Sequence, residues 1–293
     1  MDTTELLKRV QTVEIKTRRL VSEVMTGSYT SAFRGRGMEF DEVRAYVAGD
    51  DVRAIDWNVT ARTGSPHIKR FVEERELTVM LVVDVSASNR FGSGPRFKSD
   101  LIAELSALLS FSASRSSDKV GLMLFSDKVE TYVPPRKGRR HALRILRELI
   151  AFDQPRAQTN IGAALEYLGR VLRRKAVVFL ISDFQDRGYE KALRLCRRRH
   201  DLISVTVGDP REEELPSSGL LELVDPESGQ TLQVDAGSKS FRERFSRQSL
   251  RRSQARAEAF RQARVDQLPV RTDKPYIESL RAFFAAREKR RGR

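Results

Sequence analysis

The stretch "LTVMLVVDVSASNR", Leu77–Arg90, decides the fold class, because seven apolar or β-favouring residues lead directly into an aspartate, Asp84. An apolar run of this kind predicts a strand that is buried on both faces. Ser86 and Ser88 follow the aspartate at alternate positions. The stretch therefore predicts a buried strand whose carboxyl end carries several oxygen-bearing side chains.

Further apolar runs, "VGLMLF", "AVVFLI" and "LISVTV", predict strands of the same kind, and segments with helical periodicity lie between them. Strand alternating with helix predicts an α/β fold with a doubly wound, mostly parallel sheet of the Rossmann type. The segment "DKVETYVPP" closely follows the second run and ends at Pro134 and Pro135. Because proline cannot donate to a sheet ladder, this segment is predicted to be an antiparallel edge strand.

The flanking segments break this alternation, so three parts are predicted. Residues 1–75 would hold an N-terminal helix, Thr3–Met25, ended by Gly27, and then a glycine-rich segment of loops and short strands. Residues 76–210 would form the α/β domain. Residues 211–293 would hold a hairpin around "PESGQ" and a basic, mainly helical extension that is interrupted at "LPVRTDKPY". From Lys239 onward, this extension is expected to be a docking surface outside the sheet core.

Composition narrows the class of protein. The chain of 293 residues carries a formal charge of +14, and from Arg242 onward 16 Lys or Arg residues face 6 Asp or Glu residues. Such a basic end suits a solvated face, an acidic protein, a membrane surface or nucleic acid. The single cysteine, Cys196, excludes an intramolecular disulfide and fits a reduced compartment, and it is interpreted as a core thiol rather than a nucleophile. Neither a membrane span nor a signal peptide is predicted, so a cytoplasmic location is expected.

Oxygen-bearing side chains collect where the predicted strands end. Asp84 and Asp183 each follow an apolar run, and Thr159 precedes a predicted helix. In open α/β sheets, ligands bind outside the carboxyl ends of the strands. Two carboxylates and several hydroxyls suit a hard cation, since Mg²⁺ takes about six oxygen ligands. A site for Mg²⁺ or Mn²⁺ is therefore predicted at Asp84, Ser86, Ser88, Thr159 and Asp183.

The same residues have simpler interpretations. Ser86 and Ser88 could satisfy backbone groups of a turn, and Thr159 could be a helix N-cap. Asp84 and Asp183 could cap neighbouring helices. The spacing of these residues leaves both interpretations open.

The motif "DVSAS", the later threonine and "SD" resemble the metal-ion-dependent adhesion site of von Willebrand factor type A domains. Upstream, "GRGMEFDEVRAYVAGDDVRAIDWNVTARTG" and "KRFVEERE" resemble the signature of the bacterial family called domain of unknown function 58. The likeness spans roughly Gly35–Asp183. It implies a von Willebrand factor A-like fold, a magnesium site at the five residues named above, and a MoxR-type AAA+ ATPase as partner.

The expected function is a non-enzymatic, metal-dependent protein-binding module. As the family resemblance implies, it would work with a MoxR-type ATPase as an adaptor in the assembly or maturation of other proteins, and it would bind that ATPase or its client. One alternative is nucleic-acid binding through the basic C-terminal helices, although no helix-turn-helix, RNP or zinc-finger signature supports it. Another is a metal-dependent hydrolase, for which no general base or nucleophile is evident beyond the predicted ligands.

Two further segments carry recognisable motifs. The segment "GDDVRAIDW" predicts a network of charge-assisted bonds with Arg44 or Arg62, in which Trp57 is an apolar anchor. That network would fix the N-terminal segment or form a partner surface. The segment "GSGPRFKS" resembles a phosphate-binding loop, but Phe97 stands where glycine is required. Lys98 is instead predicted at a helix start near a strand end.

Overall fold

The computed structural model describes residues 3–21, 28–33, 38–73, 76–152 and 158–291. Its chain contacts define two compact units. One spans residues 33–77, and the other combines residues 1–32 with 78–293. The predicted division at residues 75 and 210 follows sequence segments rather than these units, and it stays a prediction.

The strands are numbered in chain order as β1 Met38–Ala45, β2 His67–Glu73, β3 Thr78–Asp84, β4 Lys119–Phe125, β5 Val129–Arg136, β6 Val177–Ser182, β7 Asp201–Gly208, β8 Leu220–Val224, β9 Thr231–Asp235 and β10 Asp266–Arg271. The helices are α1 Thr3–Leu20, α2 Ser28–Phe33, α3 Trp57–Thr63, α4 Lys98–Arg115, α5 Arg139–Ala151, α6 Ile161–Val171, α7 Glu190–Arg199, α8 Lys239–Ala263 and α9 Tyr276–Arg291. Short 3-10 turns cover Val52–Ala54, Ala87–Arg90 and Pro210–Glu212. The predicted N-terminal helix is confirmed as α1, and its predicted end at Met25 and Gly27 lies outside the described residues.

A six-stranded sheet in the order β10-β7-β6-β3-β4-β5 forms the centre of the larger unit. All neighbouring pairs are parallel except β4 and β5, which run antiparallel. The strand order reverses at β3, as in doubly wound folds. The predicted fold class and the antiparallel edge strand are confirmed, and both agree with the von Willebrand factor A-like expectation.

Helices pack on both faces of the sheet. Successive side chains of each strand point to opposite sides, so both faces carry side chains that the helices bury. On one face, Met80 and Val82 of β3 join a core with residues of α6, α7 and α8, among them Leu165, Leu193 and Phe260. Helix α4 packs against β3 and β4, and it also contacts α1 and α5. This double cover explains why β3 and β6 are apolar along almost their whole length.

The C-terminal part departs from the prediction. Residues Asp266–Arg271 form β10, which pairs with β7 as the sixth strand of the sheet, and α9 packs against β10. Leu280 and Phe284 of α9 are fully buried. The interpretation of the region after Lys239 as lying outside the sheet core is therefore wrong, although the predicted hairpin before it is confirmed as β8 and β9.

The smaller unit is built on an antiparallel hairpin of β1 and β2, with an irregularity between Phe40 and Glu42. The predicted charge network joins Arg44 of β1 to Asp50 in the loop that follows this strand. In the part of the chain that the structure describes, no helix is long and apolar enough to cross a membrane.

Candidate functional site

The parallel register brings the two aspartates together at the carboxyl edge of the sheet. Val83 of β3 pairs with Ile181 of β6, so Asp84 and Asp183 emerge from neighbouring strands. Both side chains are buried. Strand order reverses at β3, so this edge is the place where ligands bind in open α/β sheets.

Asp84 is held by hydrogen bonds on both carboxylate oxygens. The Ser182 hydroxyl donates to Oδ2 at 2.6 Å, and the Ser86 backbone N–H donates to Oδ1 at 2.9 Å. The Asn89 side chain donates to the Asp84 carbonyl at 3.0 Å, which fastens the turn after the strand. These bonds orient the carboxylate, and Ser182 and Asn89 are contributors that the sequence analysis missed.

The hydroxyls of Ser86 and Ser88 contact each other beside the two acids, and the Ser86 hydroxyl does not cap the turn. Ser86 precedes the 3-10 turn Ala87–Arg90, but its hydroxyl makes no capping bond. The Ser86 and Ser88 hydroxyl oxygens lie 3.1 Å apart. The Ser86 side chain helps to lower the pKa of Asp84, and the Ser88 side chain helps to lower the pKa of Asp183. The structure thus joins four of the predicted residues and disfavours a purely turn-stabilising role for Ser86.

A buried lysine enters the same cluster. Lys98, the first residue of α4, is completely buried. Its ammonium nitrogen lies 2.8 Å from Asp183 Oδ2 and 2.7 Å from Glu212 Oε1. The predicted position of Lys98 at a helix start is confirmed, whereas its two carboxylate partners were not foreseen. Asp183 and Glu212 lie far from Lys98 along the chain, so the spacing of residues in a local motif cannot predict these contacts.

Burial and charge act in opposite directions on the two aspartates. Burial and the negative charge of Asp183 raise the pKa of Asp84 to about 7. Burial alone would also raise the pKa of Asp183, but the ammonium of Lys98 and hydrogen bonds outweigh it and lower the pKa. The site therefore holds one ionised carboxylate paired with lysine and a second carboxyl group that lacks a compensating charge.

Thr159 lies at the same edge and is largely buried. The N-cap of α6 is Asn160, whose side chain accepts from the Ala163 N–H at 2.9 Å, so the interpretation of Thr159 as the cap is wrong. The Ile161 N–H donates to Asp186 at 2.8 Å, which ties this loop to the segment after Asp183.

One further carboxylate reaches Thr159 from outside the central sheet. The Thr159 hydroxyl oxygen lies 3.4 Å from Glu227 Oε1, in the turn between β8 and β9. The predicted "PESGQ" turn is thus confirmed, while the approach of its glutamate to this edge was not foreseen.

The donor chemistry of these residues fits a hard divalent cation. Among the described residues, no three His, Cys, Asp or Glu side chains lie close enough to hold a metal by themselves. A metal would therefore depend on hydroxyls as well as on the two aspartates. The negative charge of Asp183 acts unfavourably on Asp84, so a cation bound beside both carboxylates would stabilise them. The assignment of metal ligands to Asp84, Ser86, Ser88, Thr159 and Asp183 stays a prediction.

Cys196 lies away from this chemistry. Its thiol is buried in the core formed by α6, α7 and α8. Burial raises the pKa of Cys196 to about 12, so the thiolate is scarce at neutral pH. The interpretation of Cys196 as a core thiol rather than a nucleophile agrees with this placement.

The signature segment in the smaller unit forms the expected network. Arg44 binds Asp50 through two nitrogens, at 2.9 and 2.7 Å. Asp56 accepts from the first N–H groups of α3 and pairs with Lys69 at 3.3 Å. Trp57, however, is 70% exposed, so it is not the apolar anchor that was predicted.

Comparison with known proteins places the chain among bacterial relatives. The family described as "Protein of unknown function DUF58" matches residues 42–255. The uncharacterized protein Rv1480 of Mycobacterium tuberculosis is 33% identical over 292 residues, which cover 99% of this chain and 92% of that protein. The uncharacterized protein MAV169 of Mycobacterium avium is 30% identical over 166 residues, which cover 54% of this chain and 95% of that protein.

Solved structures give weaker likenesses. BatB from Bacteroides thetaiotaomicron has a TM-score of 0.46 at 16% identity, covering 73% of this chain and 99% of BatB. The SpRpn10 VWA domain has a TM-score of 0.38 at 9% identity, covering 70% of this chain and 93% of that domain. Both TM-scores are too low to support an inference about function. The sequence matches are sufficient by themselves: the chain belongs to the DUF58 family.

Proposed function

We propose that the protein is a non-enzymatic, metal-dependent protein-binding module whose carboxyl-edge site takes a carboxylate from a partner. The observation that carries this proposal is that the hydroxyls of Ser86 and Ser88 lie beside the carboxyl groups of Asp84 and Asp183 at one edge of the sheet. Hydroxyl ligands add no negative charge, so a bound Mg²⁺ or Mn²⁺ keeps affinity for one more carboxylate. The partner is a MoxR-type AAA+ ATPase or its client, and this part rests on the family resemblance.

The described site favours binding over hydrolysis. The pKa of Lys98 is raised by Asp183 and Glu212 despite burial, so its amine is protonated and cannot act as a base. Asp84 is engaged by Ser182 and by the Ser86 backbone. Asp84 and Lys98 are thus bonded to other groups of the site. Such bonds keep the site rigid, which suits a receptor for a charged ligand.

Metal binding is tested by calorimetric titration of Mg²⁺ and Mn²⁺ into the full chain. Wild type is expected to bind one ion, and Asp84→Ala and the isosteric Asp84→Asn are expected to lose it. Asp127→Ala is the matched control, because Asp127 is an exposed aspartate in the loop after β4. Equal affinity in wild type and Asp84→Asn would refute the metal site.

The partner is tested by surface plasmon resonance with the candidate ATPase, in Mg²⁺ and then in EDTA. Because EDTA also strips the nucleotide-bound Mg²⁺ of an ATPase, the decisive comparison is wild type against Asp84→Asn in Mg²⁺. Weaker binding of the variant supports the bridge through the metal. Unchanged binding would leave the site without a role in partner recognition.

A second candidate function is binding of nucleic acid by α8. Arg244, Arg247 and Arg251 are exposed and recur at helical spacing, which forms a basic stripe. Binding of DNA or RNA through phosphates would weaken steeply with salt. Fluorescence anisotropy with a labelled oligonucleotide over a salt series separates this candidate from the first, because Asp84→Asn would not affect it.

A further inference from the structure

The turn between β8 and β9 places a single carboxylate toward the candidate site. Glu227 is half-buried, whereas Asp225, Pro226 and Ser228 around it are exposed. Its Oε1 lies 3.4 Å from the Thr159 hydroxyl oxygen. The tip of the hairpin therefore meets the edge of the central sheet through Glu227.

The turn is fixed in a shape that presents this side chain. Asp225 accepts from the Glu227 N–H at 3.0 Å and from the Ser228 hydroxyl at 2.5 Å. The Gly229 N–H donates to the Asp225 carbonyl at 2.8 Å, with Gly229 at a φ of 72° that favours glycine. The turn thus holds Glu227 in place, which lowers the entropy lost when its carboxylate binds.

The base of the hairpin is anchored separately. The Ala236 N–H donates to the Gly219 carbonyl at 3.1 Å, and Arg242 of α8 donates to the Ala236 and Gly237 carbonyls at 2.6 and 2.8 Å. Leu220, Val224 and Leu232 on the strands are largely exposed. The hairpin is consequently an arm that is fastened at its base and meets the site with its tip.

Without a cation at the site, the negative charge of Glu227 at the tip of the hairpin is electrostatically unfavourable. The carboxylate of Glu227 is half-buried, and the negative charges of Asp183 and Asp225 repel it. A cation bound beside Asp84 and Asp183 would turn this repulsion into attraction. The geometry thus places a carboxylate beside Thr159, one of the five predicted metal ligands.

We propose that Glu227 is an internal ligand of this site and that the turn Asp225–Gln230 holds the place of a partner's carboxylate. The partner then presents a glutamate or aspartate at the tip of a loop, and it binds when the hairpin lifts away. This inference rests on the proposed function, since it assigns the ligand class of the same site.

Tethering makes such competition effective. A short tether gives an internal ligand an effective concentration in the millimolar range. The apparent affinity for an external carboxylate is then reduced by the fraction of molecules in which the hairpin is open. Removing the Glu227 charge should raise the affinity for an external ligand.

Hydrogen exchange of the full chain tests the internal contact, with Mg²⁺ alone as the probe. In wild type, Mg²⁺ should slow exchange of the hairpin amides, such as those of Asp225 and Gly229, by about tenfold. Glu227→Gln should abolish the slowing. Glu222→Gln is the matched control, because Glu222 is an exposed glutamate on β8 of the same hairpin, and it should behave as wild type.

A labelled cyclic peptide with the sequence "VDPESGQT", residues 224–231, tests the ligand class in Mg²⁺. It should bind Glu227→Gln at least about tenfold more tightly than wild type or Glu222→Gln. Adding Asp84→Asn to Glu227→Gln should abolish that gain. Equal binding to wild type and Glu227→Gln would overturn the internal ligand.

The two proposals fail differently. If calorimetry shows Mg²⁺ binding but neither hairpin exchange nor peptide affinity depends on Glu227, the internal ligand is wrong and the metal site stands. If neither wild type nor Glu227→Gln binds Mg²⁺ or Mn²⁺, both are wrong.

Discussion

The ammonium nitrogen of Lys98 lies 2.8 Å from Asp183 Oδ2, and both side chains are buried at the carboxyl edge of the sheet. The same nitrogen reaches Glu212 at 2.7 Å. The chain therefore supplies a fixed positive charge to a site that also holds Asp84. This lysine keeps Asp183 ionised, which leaves Asp84 as the group that gains most from an added cation.

Lys98→Met is expected to destabilise the fold strongly, because it removes the buried ammonium that pairs with the buried Asp183 and the half-buried Glu212. Breaking a buried ion pair on one side costs about 3–5 kcal/mol. Urea denaturation measures the change in the free energy of unfolding. Lys128→Met, at an exposed lysine in the loop after β4, should have little effect.

Added Mg²⁺ should recover more stability in Lys98→Met than in wild type, since the variant has one more uncompensated acid. Urea curves recorded with and without Mg²⁺ give that difference. A variant as stable as wild type would show that the pair contributes nothing.

Arg287 should anchor the C-terminal helix to the sheet. It is nearly fully buried, and its guanidinium pairs with Asp201 of β7 and with Asp266 of β10, the latter at 2.7 Å. Arg287→Met should cost about 3–5 kcal/mol in the free energy of unfolding, because the buried Asp201 loses the guanidinium group and the half-buried Asp266 keeps only the exposed Arg290.

Arg290 provides a matched comparison, since it pairs with the same Asp266 at 2.8 Å but is mostly exposed. Exposed pairs contribute at most about 1 kcal/mol, so Arg290→Met should be nearly silent. Similar losses in both variants, measured by chemical denaturation, would contradict the anchoring role.

The central strands were predicted from their complete burial, whereas the edge strand β5 and the hairpin of β8 and β9 were predicted from turn residues and prolines. Both β3 and β6 are apolar on both faces, so their sequences differ from those of loops and amphipathic helices. Strand β10 was missed because it lies at an edge of the sheet. Only Leu268 and Val270 of its residues are buried, and Pro269 stands between them. Edge positions tolerate proline, so the local pattern resembles that of a loop.

In the site too, residues that are close in sequence could be predicted to lie together, whereas contacts between distant segments could not. Asp84, Ser86 and Ser88 lie on one short segment, and the register of a parallel sheet brings Asp183 beside them. Lys98, Glu212 and Glu227 reach the site from three separate elements. The position of Lys98 at a helix start was predicted. Periodicity shows which face of an element is apolar but not which distant charge lies opposite, so the carboxylate partners of Lys98 and the approach of Glu227 could not be predicted.

Trp57 should fluoresce as an exposed indole. It is the single tryptophan of the chain and is 70% exposed. Acrylamide should therefore quench the native chain nearly as well as the urea-unfolded chain, and the emission maximum should move little on unfolding. A partner that covers the segment Gly49–Trp57 would shift the emission to shorter wavelength and protect it from the quencher. Strong protection in the free protein would contradict the exposed placement.

His200 should make the protein less stable in mild acid. Its ring is buried, and among the described residues neither ring nitrogen has a hydrogen-bond partner. Burial, and then the charge of Arg199, lower the pKa of His200 below its usual value. The folded state thus keeps the ring neutral at pH values where the unfolded chain, with a pKa of about 6.5, takes up a proton.

The unfolded state therefore binds more protons than the folded state as pH falls below about 6.5, and stability declines there. Wild type should lose stability relative to His200→Leu by up to about 1.4 kcal/mol per pH unit between the unfolded and folded pKa values. Urea denaturation of both proteins from pH 8 to pH 5 measures this difference. Any constant effect of the leucine cancels, because only the change with pH is compared. Parallel pH profiles for the two proteins would mean that His200 is protonated as readily in the folded chain as in the unfolded one.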